Sequence, residues 1–131
     1  MPRRAKPDTL SQAVGARIRQ LREELGITME QLAYESEVSS KGHLSNIERG
    51  LVRPTAYTLN ALAERLGVDL ADLVTFPAES ERARLFDLTR QLPAARVRLL
   101  LQEAEEMAAR APRLRAAEPP ARYRRRKAEP E

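Results

Sequence analysis

The side chains with most chemistry to offer cluster between Ser39 and Arg49. Read as a helix, this stretch turns Leu44 and Ile47 to one side and Ser40, Lys41, Gly42, Ser45, Asn46 and Arg49 to the other. A lysine ammonium can donate to guanine O6 and N7. An asparagine carboxamide can donate to adenine N7 while accepting from N6. A glycine at 42 lets the backbone come close to the floor of a groove. This is the equipment of base readout, with Ser40, Lys41, Gly42 and Asn46 as its candidates. An ordinary solvated helix face carries similar residues, and residue types alone leave both readings open. Catalysis fits less well. His43 is the single histidine and there is no cysteine, so any Ser-His-Asp triad must use His43, and no nucleophile with a supporting acid stands near it in sequence. Thiolate sites and zinc sites with two histidines cannot be built. No metal, no cofactor and no enzymatic activity are expected.

The elements that position these residues are helical. Val14, Ile18, Leu21 and Leu25 recur at helical spacing, and Gly26 stops the first helix. Thr28 with Gln31 has the capping-box form and opens a second helix carrying Leu32 and Ala33. Val38 falls in a turn. Ser39 or Ser40 caps the third helix, which Gly50 ends. Pro54-Thr55 opens a fourth helix through Leu59, Leu62, Ala63 and Leu66, closed by Gly67. Asp69 with Asp72 starts a short fifth helix carrying Leu70, Leu73 and Val74. Two short helices about four residues apart, the second beginning Ser-Ser-Lys-Gly, form a helix-turn-helix pattern. No stretch alternates with period two, so the fold class is all-α. Beyond Pro77 come two more helices, 78–92 with the stripe Leu85, Leu88 and Leu92, and 93–111 with Val97, Leu100, Leu101, Ala104, Met107, Ala108 and Ala111 on one face. These read as a C-terminal helical hairpin. It is too apolar to stand free, so it either folds back or pairs with a second copy. A homodimer through residues 77–112 is the favoured expectation, and a protein partner on the same helices is the other.

The chain has 131 residues with a formal net charge of +4. The excess is not spread evenly. Residues 10–75 hold seven basic and nine acidic side chains, whereas residues 113–131 hold seven basic and three acidic, and residues 1–9 three basic and one acidic. The expected organisation is a basic disordered arm over 1–9, a helix-turn-helix domain over 10–76, the C-terminal helices over 77–112, and a basic disordered tail over 113–131. Such ends can neutralise phosphates or simply keep a protein soluble. No apolar run approaches the roughly 20 residues of a membrane span, and no apolar segment follows the basic N-terminus. A cytoplasmic protein without membrane contact is expected.

Residues 14–74 resemble the XRE-type helix-turn-helix regulators, the family of Cro and the lambdoid phage repressors. The resemblance runs through Ile18-Arg19-Gln20-Leu21-Arg22, Leu25-Gly26-Ile27-Thr28, Leu32-Ala33 and Val38-Ser39. It continues through Leu44-Ser45-Asn46-Ile47-Glu48-Arg49-Gly50, Arg53-Pro54-Thr55, Leu59, Leu62-Ala63 and Leu66-Gly67-Val68. It implies a five-helix lambda-repressor-like domain that lays its third helix in the major groove of double-stranded DNA. On that footing Thr28, His43, Ser45, Arg49 and Arg53 are the candidates for phosphate contact, at helix ends and in the following loop. Glu48 is negative and unsuited to DNA; the resemblance pairs it with Arg22 as a structural ion pair. Two residues depart from the family pattern. Met29 stands where a glutamine usually follows the threonine, and Glu37 where the turn usually has glycine. The implied function is a transcriptional regulator, most commonly a repressor acting as a dimer. An antitoxin that regulates its own operon while its C-terminal half masks a toxin is one alternative. A scaffold whose helix-turn-helix no longer binds DNA is another.

Overall fold

The computed structural model describes residues 8–36, 38 and 40–112. The expected arm up to residue 7, the tail from 113, and the Glu37 and Ser39 positions of the turn lie outside the described residues. Seven helices follow in order: α1 (Thr9–Glu24), α2 (Met29–Glu35), α3 (Lys41–Glu48), α4 (Ala56–Leu66), α5 (Leu70–Leu73), α6 (Glu81–Thr89) and α7 (Ala94–Arg110). No strand occurs among the described residues.

Each of the first four helices starts on a side-chain cap that satisfies an orphan N–H. The Asp8 carboxylate accepts from Ser11 N, Thr28 from Gln31 N, Ser40 from His43 N and Thr55 from Thr58 N. Helix α1 thus begins at Thr9, with Asp8 as its cap, inside the segment expected to be a free arm. Gly26, Gly50 and Gly67 follow α1, α3 and α4 at φ of 67°, 75° and 67°, a left-handed conformation in which other residues are strained.

The core joins buried residues from each of the first five helices: Val14, Ile18 and Leu21 of α1, Leu32 and Ala33 of α2, Leu44 and Ile47 of α3, Leu62, Ala63 and Leu66 of α4, and Leu73 of α5. Leu25, grouped with the α1 stripe by its spacing, is the C-terminal cap and lies exposed. Helix α3 crosses α1 at close backbone range. A Cβ built on Gly15 would stand 2.3 Å from Ile47 O, and one on Gly50 would stand 2.7 Å from Gln12 Cα.

Helix α6 belongs with this bundle. The Arg17 guanidinium, its side chain 2% exposed, donates from Nε to Asp72 O at 2.9 Å and from Nη2 to the Asp87 carboxylate of α6 at 2.5 Å. Arg90, just past α6, reaches Asp87 at 2.9 Å and Glu24 of α1 at 2.9 Å. The boundary expected at residue 76 therefore cuts through an ion-pair network. The compact unit runs to Leu92, and a second begins at Pro93. Helix α6 is also shorter than the expected 78–92. Ser80 caps it, and Gln91 N and Leu92 N turn back to Leu88 O and Thr89 O in a tight final turn. In the second unit α7 buries none of its residues.

Candidate nucleic-acid interface

Helix α3 is eight residues long and is fixed by its inner side. Leu44 and Ile47 are fully buried, which aims Lys41, Gly42, Ser45, Asn46 and Arg49 away from the core. Its roll is set by a bidentate ion pair to α1. Arg22 donates from Nε to Glu48 Oε1 at 2.7 Å and from Nη2 to Oε2 at 3.3 Å. The third guanidinium nitrogen, Nη1, donates to Ile27 O at 2.9 Å. The side chains are 11% and 5% exposed, so the Glu48 charge is withdrawn from the outer face. Gly15 allows the approach that makes this pair reach.

The outer face carries the remaining candidates. Lys41 is exposed and pairs with Glu30 of α2 at 2.9 Å. An exposed pair of this kind is worth about 0–1 kcal/mol, so the ammonium is readily given up to another acceptor. Asn46 lies one turn further along. Its Oδ1 accepts from Arg49 Nη2 at 2.8 Å. Two-point readout of adenine needs both ends of such a carboxamide, so for Asn46 it would require Arg49 to turn outward. A phosphate beside Arg49 offers the exchange. Ser40 is exposed, and its hydroxyl oxygen caps α3 by accepting from His43 N at 3.1 Å. The O–H of Ser40 is left as a donor. Ser45 and His43 are half-buried at the edge of the face.

Around α3 stand the candidates for phosphate. Thr28 and Gln31 hold each other: Thr28 N donates to Gln31 Oε1 at 3.0 Å while Gln31 N donates to Thr28 Oγ1 at 3.1 Å. Two backbone donors of this helix start are therefore already satisfied internally. Met29 packs against the core instead of reaching out. Arg53, in the loop after α3, is exposed and paired with Asp8 at 3.0 Å. The same Asp8 carboxyl lies below its ordinary value, mainly because Ser11 N–H hydrogen-bonds to it, with the Ser11 hydroxyl and Arg53 adding to the effect.

Sequence reasoning missed Gly15, Glu30 and Arg17. Gly15 carried a signal, since a glycine inside a helix costs about 0.5–1 kcal/mol and calls for a packing reason. Arg17 carried one as well: it falls three residues after Val14 and beside Ile18, on the stripe meant for the core. Among the described residues, no group of three or more His, Asp or Glu is placed to hold a metal ion, and no helix is long and apolar enough to cross a membrane.

The helix-turn-helix family model matches residues 18–73, which takes in α2, α3 and their supports. An uncharacterized HTH-type transcriptional regulator, y4dJ of Sinorhizobium fredii (strain NBRC 101917 / NGR234), is 44% identical over 62 residues, covering 47% of this chain and 79% of that protein. The chain belongs to the XRE-type helix-turn-helix family of DNA-binding transcriptional regulators. The HTH-type transcriptional regulator DdrOP3 of Deinococcus deserti (strain DSM 17065 / CIP 109153 / LMG 22923 / VCD115) is 36% identical over 58 residues, which is 44% of either chain. Among solved structures, the SinR protein/SinI protein complex contains a chain that superposes with a TM-score of 0.54 at 28% identity, covering 74% of this chain and 99% of that one. The all-helical, lambda-repressor-like architecture is thus shared beyond the helix-turn-helix itself.

Proposed function

We propose that this regulator is a repressor that works in the cytoplasm as a dimer on a near-palindromic operator. Helix α3 reads base edges through Ser40, Lys41, Gly42 and Asn46. Thr28, His43, Ser45, Arg49 and Arg53 hold the flanking phosphates. The observation that carries this reading is the division of α3 into two sides. Its inner side is locked by Leu44, Ile47 and the Arg22–Glu48 pair, and its outer side offers donors held only by exposed, exchangeable contacts. A single short helix in one groove gives modest affinity, so two half-sites are needed, with centres about 10 base pairs or one helical turn apart. Residues beyond α5 supply the pairing, and the basic ends add affinity without sequence choice. No catalytic step is assigned.

The test is selection of bound fragments from genomic DNA, followed by mobility shifts at several salt concentrations. The expected result is a preferred near-palindrome and a log affinity that falls linearly with log salt. Binding no stronger than that of an unrelated acidic-bundle protein, with no sequence preference, overturns it and leaves the scaffold reading. A partner-masking role such as an antitoxin's has one specific observation in its favour. The SinR chain was solved in complex with a second protein, SinI, and α7 here has no fully buried residue. Co-purification of a neighbour-encoded protein that releases the operator favours that reading.

A further inference from the structure

Helix α7 carries an ordered pattern of charge beside its apolar face. Val97, Leu100, Leu101, Ala104 and Ala108 share one face at helical spacing, and none is fully buried. Arg96 and Glu103 flank that face on one edge, and Arg98 and Glu105 flank it on the other, each pair seven residues apart. The basic residues stand in the N-terminal half and the acidic ones in the C-terminal half. That order opposes the helix dipole, so it does not serve the isolated helix. Seven residues is also too far for a pair within the helix, and among the described residues none of these four takes part in an ion pair.

We infer that α7 pairs with α7 of a second copy in antiparallel orientation, centred between Leu100 and Leu101. In this register Val97 meets Ala104 of the second copy, and Leu100 and Leu101 each lie beside their own counterpart next to the twofold. An antiparallel twofold keeps each edge facing the same edge of the other helix. Arg96 then lies beside Glu103 of the second copy, and Arg98 beside Glu105 of the second copy. Each pair occurs twice, which gives four attractive pairs. A parallel pair would set Arg96 against Arg98 and Glu103 against Glu105, all of them repulsive. The small Ala104 lets the two helices approach closely where they cross. This rests on the proposed dimer and adds its geometry: which helix, which direction and which residues.

The absence of native cysteine makes the orientation directly measurable. Full-length Val97→Cys and Ala104→Cys chains are mixed in equal amounts and oxidised, and the disulfides are mapped. The expected product is the mixed 97–104 dimer. Homodimers linked 97–97 and 104–104 mean a parallel pair; no cross-linking by a chain that sediments as a dimer means another interface. Either result overturns the inference while leaving the dimer intact. A chain that sediments as a monomer at every concentration overturns both. Charge reversal gives an independent reading. Arg96→Glu with Arg98→Glu, and separately Glu103→Arg with Glu105→Arg, should each weaken self-association roughly a hundredfold, taking about threefold for each of four exposed pairs. An equimolar mixture of the two should recover the dimer. All four positions are exposed, and circular dichroism checks that helix content is kept. Should one double variant lose helix, the quadruple reversal replaces it, with self-association expected and pairing with the unaltered chain lost.

Discussion

Asp87→Ala tests whether α6 is an integral part of the DNA-binding bundle. The Arg17 guanidinium is 2% exposed, and the carboxylate that faces its Nη2 is 14% exposed. Removing one partner of a buried pair costs roughly 3–5 kcal/mol. Two features lower that figure. Arg17 keeps its hydrogen bonds to Asp72 O and to Gln20 Oε1, and water reaches the Asp87 side. The expected loss is therefore about 2–3 kcal/mol, the scale of one charged hydrogen bond left unmade. Asp87→Asn keeps an acceptor and should lose about half as much. Burial pushes the Asp87 carboxyl up, but the hydrogen bonds and charges of Arg17 and Arg90 outweigh it and hold the carboxyl below the ordinary 3.8. A carboxyl lowered in the folded state contributes stability that is complete above its unfolded value and fades as pH falls through the lowered one. The difference between parent and Asp87→Ala should then be largest near neutrality and shrink in acid. Urea unfolding at several pH values measures it, with the slope on denaturant unchanged. A loss within about 0.5 kcal/mol at neutral pH, the range of ordinary surface changes, would refute the coupling of α6 to α1.

Glu48→Ala and Arg22→Ala should each cost about 2–4 kcal/mol, and the double variant should be clearly less than additive in a denaturant cycle. Gly15→Ala should destabilise by about 1–3 kcal/mol, because its Cβ would stand 2.3 Å from a backbone oxygen that cannot move alone; thermal unfolding reads this. Lys41→Ala and Asn46→Ala should each weaken binding to the selected site by roughly 1–3 kcal/mol, with binding to random DNA little changed for Asn46→Ala. Glu30→Gln frees Lys41 and removes a negative charge from the outer face, so affinity for selected and random DNA should rise together, by about twofold to fivefold; equal affinity would show that Lys41 does not meet DNA.

The elements legible in the sequence are those whose signals are local. The spacing of Val14, Ile18 and Leu21, the Thr28–Gln31 box and the stops at Gly26, Gly50 and Gly67 each act within a few residues of themselves. A helix boundary can be read from such marks. The C-terminal limit of α6 could not, because the tight turn after Thr89 depends on backbone hydrogen bonds with no distinctive residue type. Leu25 shows the opposite failure: its spacing fits the stripe, but the chain leaves the helix there and turns it outward. Pairs far apart in sequence were illegible in another way. Arg17 and Asp87 are 70 residues apart, and Arg90 and Glu24 are 66 apart. Arginines are common on helices, and only the fold says which carboxylate each one meets. The site divides along the same line. The polar face of α3 follows from its period, whereas the contacts of Lys41 with Glu30 and Asn46 with Arg49 are facts of packing and rotamer.

An excess of acid over residues 10–75, taken by count alone, argues for a scaffold that avoids DNA. The structure changes what that balance means. A carboxylate repels phosphate according to where its charge is held, not according to the count along the chain. Glu48, the acid nearest the reading face in sequence, is turned inward onto Arg22. Glu23 is held by Arg19, Glu24 by Arg90, and Glu35 by Arg65. Asp72 is buried, with its Oδ2 accepting from Asp69 N at 2.9 Å. Of the acids with a described partner, Glu30 meets a cation of the reading face, and that pair is exposed and weak. The field a phosphate would feel at α3 is therefore set by Lys41, Arg49 and Arg53, each held only by a contact that a phosphate oxygen can replace. A regional excess of acid is compatible with a locally positive face when the fold pairs the acids elsewhere. The same principle explains how Glu48 can sit on the helix proposed to meet DNA: its charge positions α3 and is neutralised in doing so.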